Sequence, residues 1–240
     1  MARILTFFSL LFLAMLAHSA AAAQNGGFGI NATRLIYPQG ADSISVTVRN
    51  TLTTQPYLVQ VRVSTSQAGD IPAPFLVRPP LFRLEPSTVN MVRIVFQKEN
   101  LPNDRESVFY FHASAIPASR SPLPDNQREG VHGATHFGVG NIIKLFYRPA
   151  TLPSSSQAAQ QNLQFSRVSK GLQVSNSSPY FVSFASVHGG GLALKLDSPT
   201  ALMLPPFSKH VFPTSQSSGE VRWQTINDEG GVNAFSQKLP

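Results

Sequence analysis

Apolar side chains recur at every second position through much of the first 148 residues, and this period of two decides what the chain can fold into. Ile44, Val46 and Val48 alternate with Ser45, Thr47 and Arg49, and residues 58–63, 91–96, 107–115 and 137–147 continue the series. Such a period puts one set of side chains on one face of a pleated strand and the other set on its back. The runs are rich in Val, Phe and Tyr and are cut by Pro, Gly and Asn, which marks them as strands. Nineteen prolines and sixteen glycines spread along the chain exclude a long helical bundle. Six or more strands before residue 148 suit an antiparallel sandwich of about 120 residues.

The pattern breaks at Arg148-Pro149-Ala150-Thr151-Leu152-Pro153 and the small polar tract that follows. Two prolines and a run of Ser, Ala and Gln read as a linker over 149–161. Weaker strand signals then appear at 163–168, 172–174, 180–187, 201–204 and 221–226. The expected architecture is therefore all-β, with one domain over 24–148 and a second over 162–240.

The first 23 residues belong to neither. A single Arg3 precedes an apolar run from Ile4 to Ala17, and Ala20-Ala21-Ala22-Ala23 supplies small residues for cleavage near Ala23. A run of roughly 14 apolar residues is short of the ~20 that span a bilayer, so the segment reads as a secretory signal without membrane insertion. The whole chain carries +7; losing Arg3 leaves 18 basic against 12 acidic residues, or +6. Such an excess invites an anionic partner, and export weighs against nucleic acid.

Little in the sequence speaks of catalysis. There is no cysteine, no phosphate loop and no nucleophile elbow, and the carboxylates are scattered. Gly189-Gly190-Gly191 reads as a hairpin turn. His132 and His136 would share a face on a helix, but Gly133, Gly138 and Gly140 favour a strand, where the rings lie ~13 Å apart. Neither a metal nor a cofactor is expected, and the chain does not read as an enzyme.

Two basic residues stand out instead. Lys144 sits in Ile142-Ile143-Lys144-Leu145-Phe146-Tyr147, with no acid from 130 through 196, and Arg34 has only Asp42 as an acidic neighbour between 24 and 69. A buried ammonium needs a carboxylate or a path to water, so Lys144 either snorkels from an edge strand or finds its partner elsewhere, in this chain or another. Just upstream, Val131, Gly133, Thr135, Phe137 and Val139 share one parity, while the opposite parity is small or polar. That strand is either half of an ordinary hairpin or an edge on which another chain's strand can pair.

Several segments occur in a particular order: Thr33-Arg34-Leu35-Ile36-Tyr37-Pro38, Pro56-Tyr57-Leu58-Val59-Gln60, Phe82-Arg83-Leu84-Glu85-Pro86 and Arg105-Glu106-Ser107-Val108-Phe109-Tyr110-Phe111. Ile143-Lys144-Leu145-Phe146-Tyr147-Arg148-Pro149, Asn176-Ser177-Ser178-Pro179-Tyr180 and Ile226-Asn227-Asp228 follow. Together they resemble the periplasmic chaperones of pilus and fimbria assembly in the chaperone–usher route. The resemblance implies two immunoglobulin-like sandwiches arranged as a boomerang, and no enzymatic turnover. It implies that Arg34 and Lys144 grip the terminal carboxylate of a pilus subunit. It also implies that Val131, Thr135, Phe137 and Val139 form a strand lent to that subunit, and that the loaded complex passes to an outer-membrane usher. Glu106, Arg148 and Asp228 match an interdomain salt-bridge network. Departures are a long stretch from Pro117 to Thr135, the small Gly133 and Thr135 where larger apolar residues are common, and the absence of one subgroup's cysteine pair. The alternative is a secreted structural pilin or adhesin, which would carry an alternating apolar extension at its mature N-terminus. Gln24-Asn25-Gly26-Gly27-Phe28-Gly29-Ile30 is short and glycine-rich for that role.

Overall fold

A computed structural model describes residues 26–118, 138–215 and 219–239. The expected signal segment, His132 and His136, and the lent-strand residues Val131, Thr135 and Phe137 lie outside the described residues.

The first unit is a sandwich of two sheets. One contains β1 (Phe28–Ile30), β3 (Ile44–Asn50), β7 (Thr88–Phe96) and β5 (Phe75–Arg78), in the order β1-β3-β7-β5. The other holds β2 (Arg34–Pro38), β9 (Val139–Arg148), β8 (Ser107–Pro117), β4 (Tyr57–Ser64) and β6 (Leu81–Leu84), ordered β2-β9-β8-β4-β6. The period of two becomes the core directly. Val46 and Val48 of β3, Val59 and Val61 of β4, Val92 and Ile94 of β7, and Phe111 and Leu145 of β8 and β9 are buried between the sheets. Tyr37 completes this core: its ring stacks on Tyr147 with centroids 6.1 Å apart, and its hydroxyl donates to the Ala41 carbonyl at 2.8 Å. A buried phenol with a satisfied hydroxyl adds apolar area without a desolvation penalty.

β2 and β9 run parallel, paired from Arg34↔Lys144 to Pro38↔Arg148, whereas β8 and β9 are antiparallel from Val139 through Tyr147. The short β2 therefore covers only the second half of β9. Among the described residues, nothing pairs with the outer edge of β9 at 139–143.

The second unit has its own core of Leu163, Leu172, Val174, Val187, Leu204, Phe212 and Trp223. One sheet is β10 (Gln164–Val168), β11 (Gly171–Asn176) and β15 (Ser208–Pro213); the other centres on β12 (Val182–Gly189), β16 (Glu220–Ile226) and β17 (Val232–Lys238). Two short strands, β13 (Leu192–Ala193) and β14 (Met203–Leu204), extend β12 at its ends. Gly190 and Gly191, at φ 57° and 87°, make the β12–β13 turn.

Strands β1, β2, β5, β6, β13, β15 and β17 arise where the periodicity marks none, and two segments take a form other than the one read from the sequence. Inside the stretch read as linker, Ser156–Gln161 forms a helix, α1, whose first turn is capped by Ser155 Oγ accepting from the Ala158 amide at 3.1 Å. It is held by Gln160, which is buried. Its carbonyl accepts from Trp223 Nε1 at 2.9 Å, and its side-chain oxygen accepts from Thr225 and Asn233 at 2.7 and 3.1 Å. The stretch 201–204, read as a strand, is half helical: α2 (Pro199–Leu202) starts from a Ser198 cap with proline in its first turn, and only β14 is extended. Both helices are too short for periodicity to reveal, and both are set by caps. Among the described residues no helix is long and apolar enough to cross a membrane.

Candidate functional site

The parallel pairing of β2 with β9 decides where the two conspicuous cations go. Arg34 opens β2 and is the register partner of Lys144, so the two side chains are neighbours on the same face of the sheet. Even-numbered residues of β9 point away from the core occupied by Leu145 and Tyr147. Lys144 is half-buried there, and no carboxylate pairs with it among the described residues. Burial, with the adjacent charge of Arg34, lowers its pKa from the ordinary lysine value to about 8.

Arg34 is held by the second unit. Its Nη1 donates to the carbonyl of Ile226, at the end of β16, at 2.8 Å, and its guanidinium lies over the Phe146 ring at 5.8 Å. Its Nε is buried and has no hydrogen-bond partner. Burial lowers the Arg34 pKa, partly opposed by the charges of Asp228 and Glu106. Two half-buried cations side by side, one with an orphaned donor, form a site that favours an anion. A planar carboxylate matches a guanidinium fork and an ammonium at once.

Four residues along β9, on the same face, Arg148 joins the two units. Its Nε donates to Glu106 at 2.7 Å, and its two terminal nitrogens grip Asp228 at 2.7 and 3.0 Å. The second oxygen of Glu106 accepts from the Phe181 amide at 2.9 Å, and Asp228 also accepts from the Ser156 hydroxyl at 2.8 Å. Glu106 is buried, which raises its pKa, and Arg148 and the Phe181 amide hold it down in turn. Burial also pushes Asp228 upward, but the Arg148 hydrogen bonds and charge and the Ser156 hydroxyl outweigh it, so its pKa is lowered. The Arg148 guanidinium lies over Tyr180 at 5.3 Å, and Phe146 meets Phe181 with ring centroids 5.7 Å apart.

The turn between β16 and β17 carries both Asp228 and the Ile226 carbonyl. It is shaped by Asn227, whose amide donates to the Gly231 carbonyl at 2.8 Å and whose side chain accepts from the Gly231 amide at 2.7 Å. Gly230 has φ +86°, and a Cβ there would clash with Thr33 Oγ1. Only a glycine lets this turn lie so close to the start of β2.

The structure thus brings Arg34, Lys144, Glu106, Arg148 and Asp228 together around one junction. Val139 stands apart, at the far end of β9, 44% exposed and paired with Ala115 on its inner side only. Sequence reasoning gave no role to Ile226, Gly230, Thr33, Ser156 or Phe181, although Thr33 and Ile226 lie in the segments that carry the resemblance. Three of these act through backbone groups or the lack of a side chain, and only the turn-forming Asn227-Asp228-Glu229-Gly230-Gly231 run hints at them.

Comparison with known proteins agrees with this architecture. The model of a family described as pili and flagellar-assembly chaperone, PapD N-terminal domain, matches residues 27–153, and that of the pili assembly chaperone PapD C-terminal domain matches 158–237. The probable fimbrial chaperone protein ElfD of Escherichia coli K12 is 35% identical over 214 residues, covering 88% of this chain and 86% of that protein. Among solved structures, that of the Salmonella enterica SafA pilin in complex with the SafB chaperone matches at 30% identity with a TM-score of 0.74, covering 89% of this chain and 96% of that one. The Escherichia coli chaperone DraB matches at 29% identity and 0.74, covering 90% and 97%. The two sandwiches, their junction and these likenesses agree: this chain belongs to the PapD-like chaperones of pilus and fimbria assembly.

Proposed function

We propose that the exported protein works in the periplasm as a chaperone that binds and folds pilus subunits by lending them a strand, and then delivers them to an outer-membrane usher. The observation that carries this reading is the conjunction on β9 of an unpaired edge at 139–143 and, directly after it, the cation pair Arg34–Lys144. An incomplete sandwich can add its open edge to that strand by main-chain hydrogen bonds. Its terminal carboxylate then reaches the cation pair, which fixes the register of the added strand to one residue. In this reading Val139, with Val131, Thr135 and Phe137, presents apolar side chains to the subunit's groove. Glu106, Arg148 and Asp228 hold the two units at the angle that leaves the cations accessible. No bond is made or broken and no cofactor takes part, so the protein acts stoichiometrically rather than as an enzyme. Cleavage of the signal near Ala23 leaves a first unit over 24–148, a linker over 149–161 and a second unit over 162–240.

Co-purification from periplasm with a tagged subunit tests the reading. Wild-type protein is expected to capture the subunit one to one. Removing one side of a desolvated charge pair typically costs ~2–5 kcal/mol, about 30- to several-thousand-fold, so Arg34→Ala should lose capture. Undiminished capture by Arg34→Ala would refute the anchor.

A further inference from the structure

The proposed function leaves the chain's excess of positive charge unused, and one face of the fold carries much of it. The sheet β1-β3-β7-β5 buries one side in the core and turns the other to solvent. On that outer side stand Arg49 of β3, Arg78 of β5 and Arg93 of β7, all exposed. None of the four strands contains an Asp or Glu. Among the described residues, none of these arginines pairs with a carboxylate.

Two details point to the chemistry of a partner. Arg78 and Arg93 are direct cross-strand neighbours, an arrangement in which like charges repel. An anion that bridges two guanidiniums relieves that repulsion, and the two non-bridging oxygens of a headgroup phosphate can each accept from a different guanidinium fork. Between and beside the arginines, Val89 and Met91 are 67% and 64% exposed, and Leu76 is 36% exposed. A free phosphate has no use for exposed apolar side chains. A headgroup layer does, because apolar side chains sink to the acyl boundary while flanking cations meet the phosphates.

We propose that this sheet face docks on an anionic phospholipid leaflet, with Arg78 and Arg93 sharing headgroup phosphates, Arg49 flanking them, and Met91 and Val89 entering the interface. The cation pair Arg34–Lys144 and the free edge of β9 belong to the other sheet of the sandwich, so a chaperone lying on the leaflet keeps its binding edge available. The face would hold the protein at the surface where exported chains emerge. Docking here is peripheral and reversible, and it is distinct from insertion.

The test uses the purified exported protein sedimented with vesicles of equal parts phosphatidylglycerol and phosphatidylcholine, and with vesicles of phosphatidylcholine alone. Wild-type protein is expected in the pellet only with the anionic vesicles, and raised salt should release it. Replacing Arg49, Arg78 and Arg93 together by Gln should weaken partitioning about a hundred-fold, since each basic group near such a surface is worth roughly five-fold. The three side chains are exposed, so melting and subunit capture should be unchanged. Lys98→Gln, Lys170→Gln and Lys209→Gln combined remove the same charge elsewhere and should lose far less. Met91→Asp alone should also weaken binding. Wild-type protein left in the supernatant with anionic vesicles overturns the proposal. So does a triple arginine variant that binds like wild type, or a lysine triple that loses as much. Binding of inorganic phosphate by wild type, lost in the triple arginine variant and without vesicle binding, would assign the arginines to a free anion. Binding to polyglutamate alone, lost in the triple arginine variant, would assign the face to an acidic protein; either result contradicts the lipid assignment.

Discussion

Arg34 and Lys144 are register partners in the only parallel pairing among the described strands of the first sandwich, so two cations that are 110 positions apart in sequence share one face of one sheet. This placement costs the free protein something. Lys144 is half-buried, carries a neighbour of its own sign, and titrates at about 8 as a result. The cost makes sense if the missing anion arrives with a partner, and it leads to measurable consequences.

The first concerns stability. Lys144→Met keeps the stem's length and apolar contacts but removes a poorly solvated charge beside Arg34. The free variant should melt at or above the wild-type temperature at pH 7, while subunit capture is lost. A variant that melts well below wild type would mean that Lys144 has a stabilising partner.

pH provides a second test. The folded pKa of Lys144 lies below its unfolded value, so the folded chain binds fewer protons between the two. Unfolding free energy should therefore rise as pH increases through about 8 toward the ordinary lysine range, the destabilising charge being relieved. Capture should move the other way and weaken above pH 8 as the ammonium is lost. Lys144→Arg, charged throughout, should flatten the capture profile; chemical denaturation and co-purification across pH 6.5–9.5 read both trends.

The junction supplies a third. Asp228→Ala strips Arg148 of its bidentate partner and the Ser156 hydroxyl of its acceptor. Hydrogen bonds to charged groups contribute about 1.5–3 kcal/mol each, so the loss should be of that order. It should appear as two separated unfolding transitions where wild type is expected to unfold in one, because each unit keeps its own core. A single transition at the wild-type midpoint would show that Asp228 does not couple the units.

Gly230 gives a fourth, more local one. Asn tolerates a left-handed backbone, so Gly230→Asn should preserve the β16–β17 turn while wedging its side chain against Thr33. The Ile226 carbonyl then withdraws from Arg34, and capture should fall with little change in either unit's melting. Thr33→Ala in the same background makes room and should restore part of the capture. No rescue would mean that the contact does not position Arg34.

Much of the first sandwich was legible because its strands are half-buried: Val46, Val48, Val59 and Val61 alternate with exposed residues, and periodicity shows that at once. β5 and β6, four residues each, are too short for the signal, and Phe28–Ile30 has only three. The helix at Ser156–Gln161 read as linker because its stability lies in a serine cap and in the buried amide of Gln160, neither of which is periodic. Arg34 and Lys144 were conspicuous as cations in acid-poor surroundings. Their adjacency was implied only by the family resemblance, because parallel pairing across 110 residues leaves no local trace. The Ile226 carbonyl that holds Arg34 could not be read at all, since every residue has one.

The central claim is that the cation pair recognises a chain terminus. The direct measurement compares binding of two synthetic peptides with the sequence of a subunit's last strand, one ending in a free carboxylate and the other in an amide. The account predicts that wild-type protein prefers the free acid by at least about thirty-fold. It also predicts that Arg34→Ala and Lys144→Met each abolish most of that preference. Equal affinity of wild-type protein for acid and amide would contradict it.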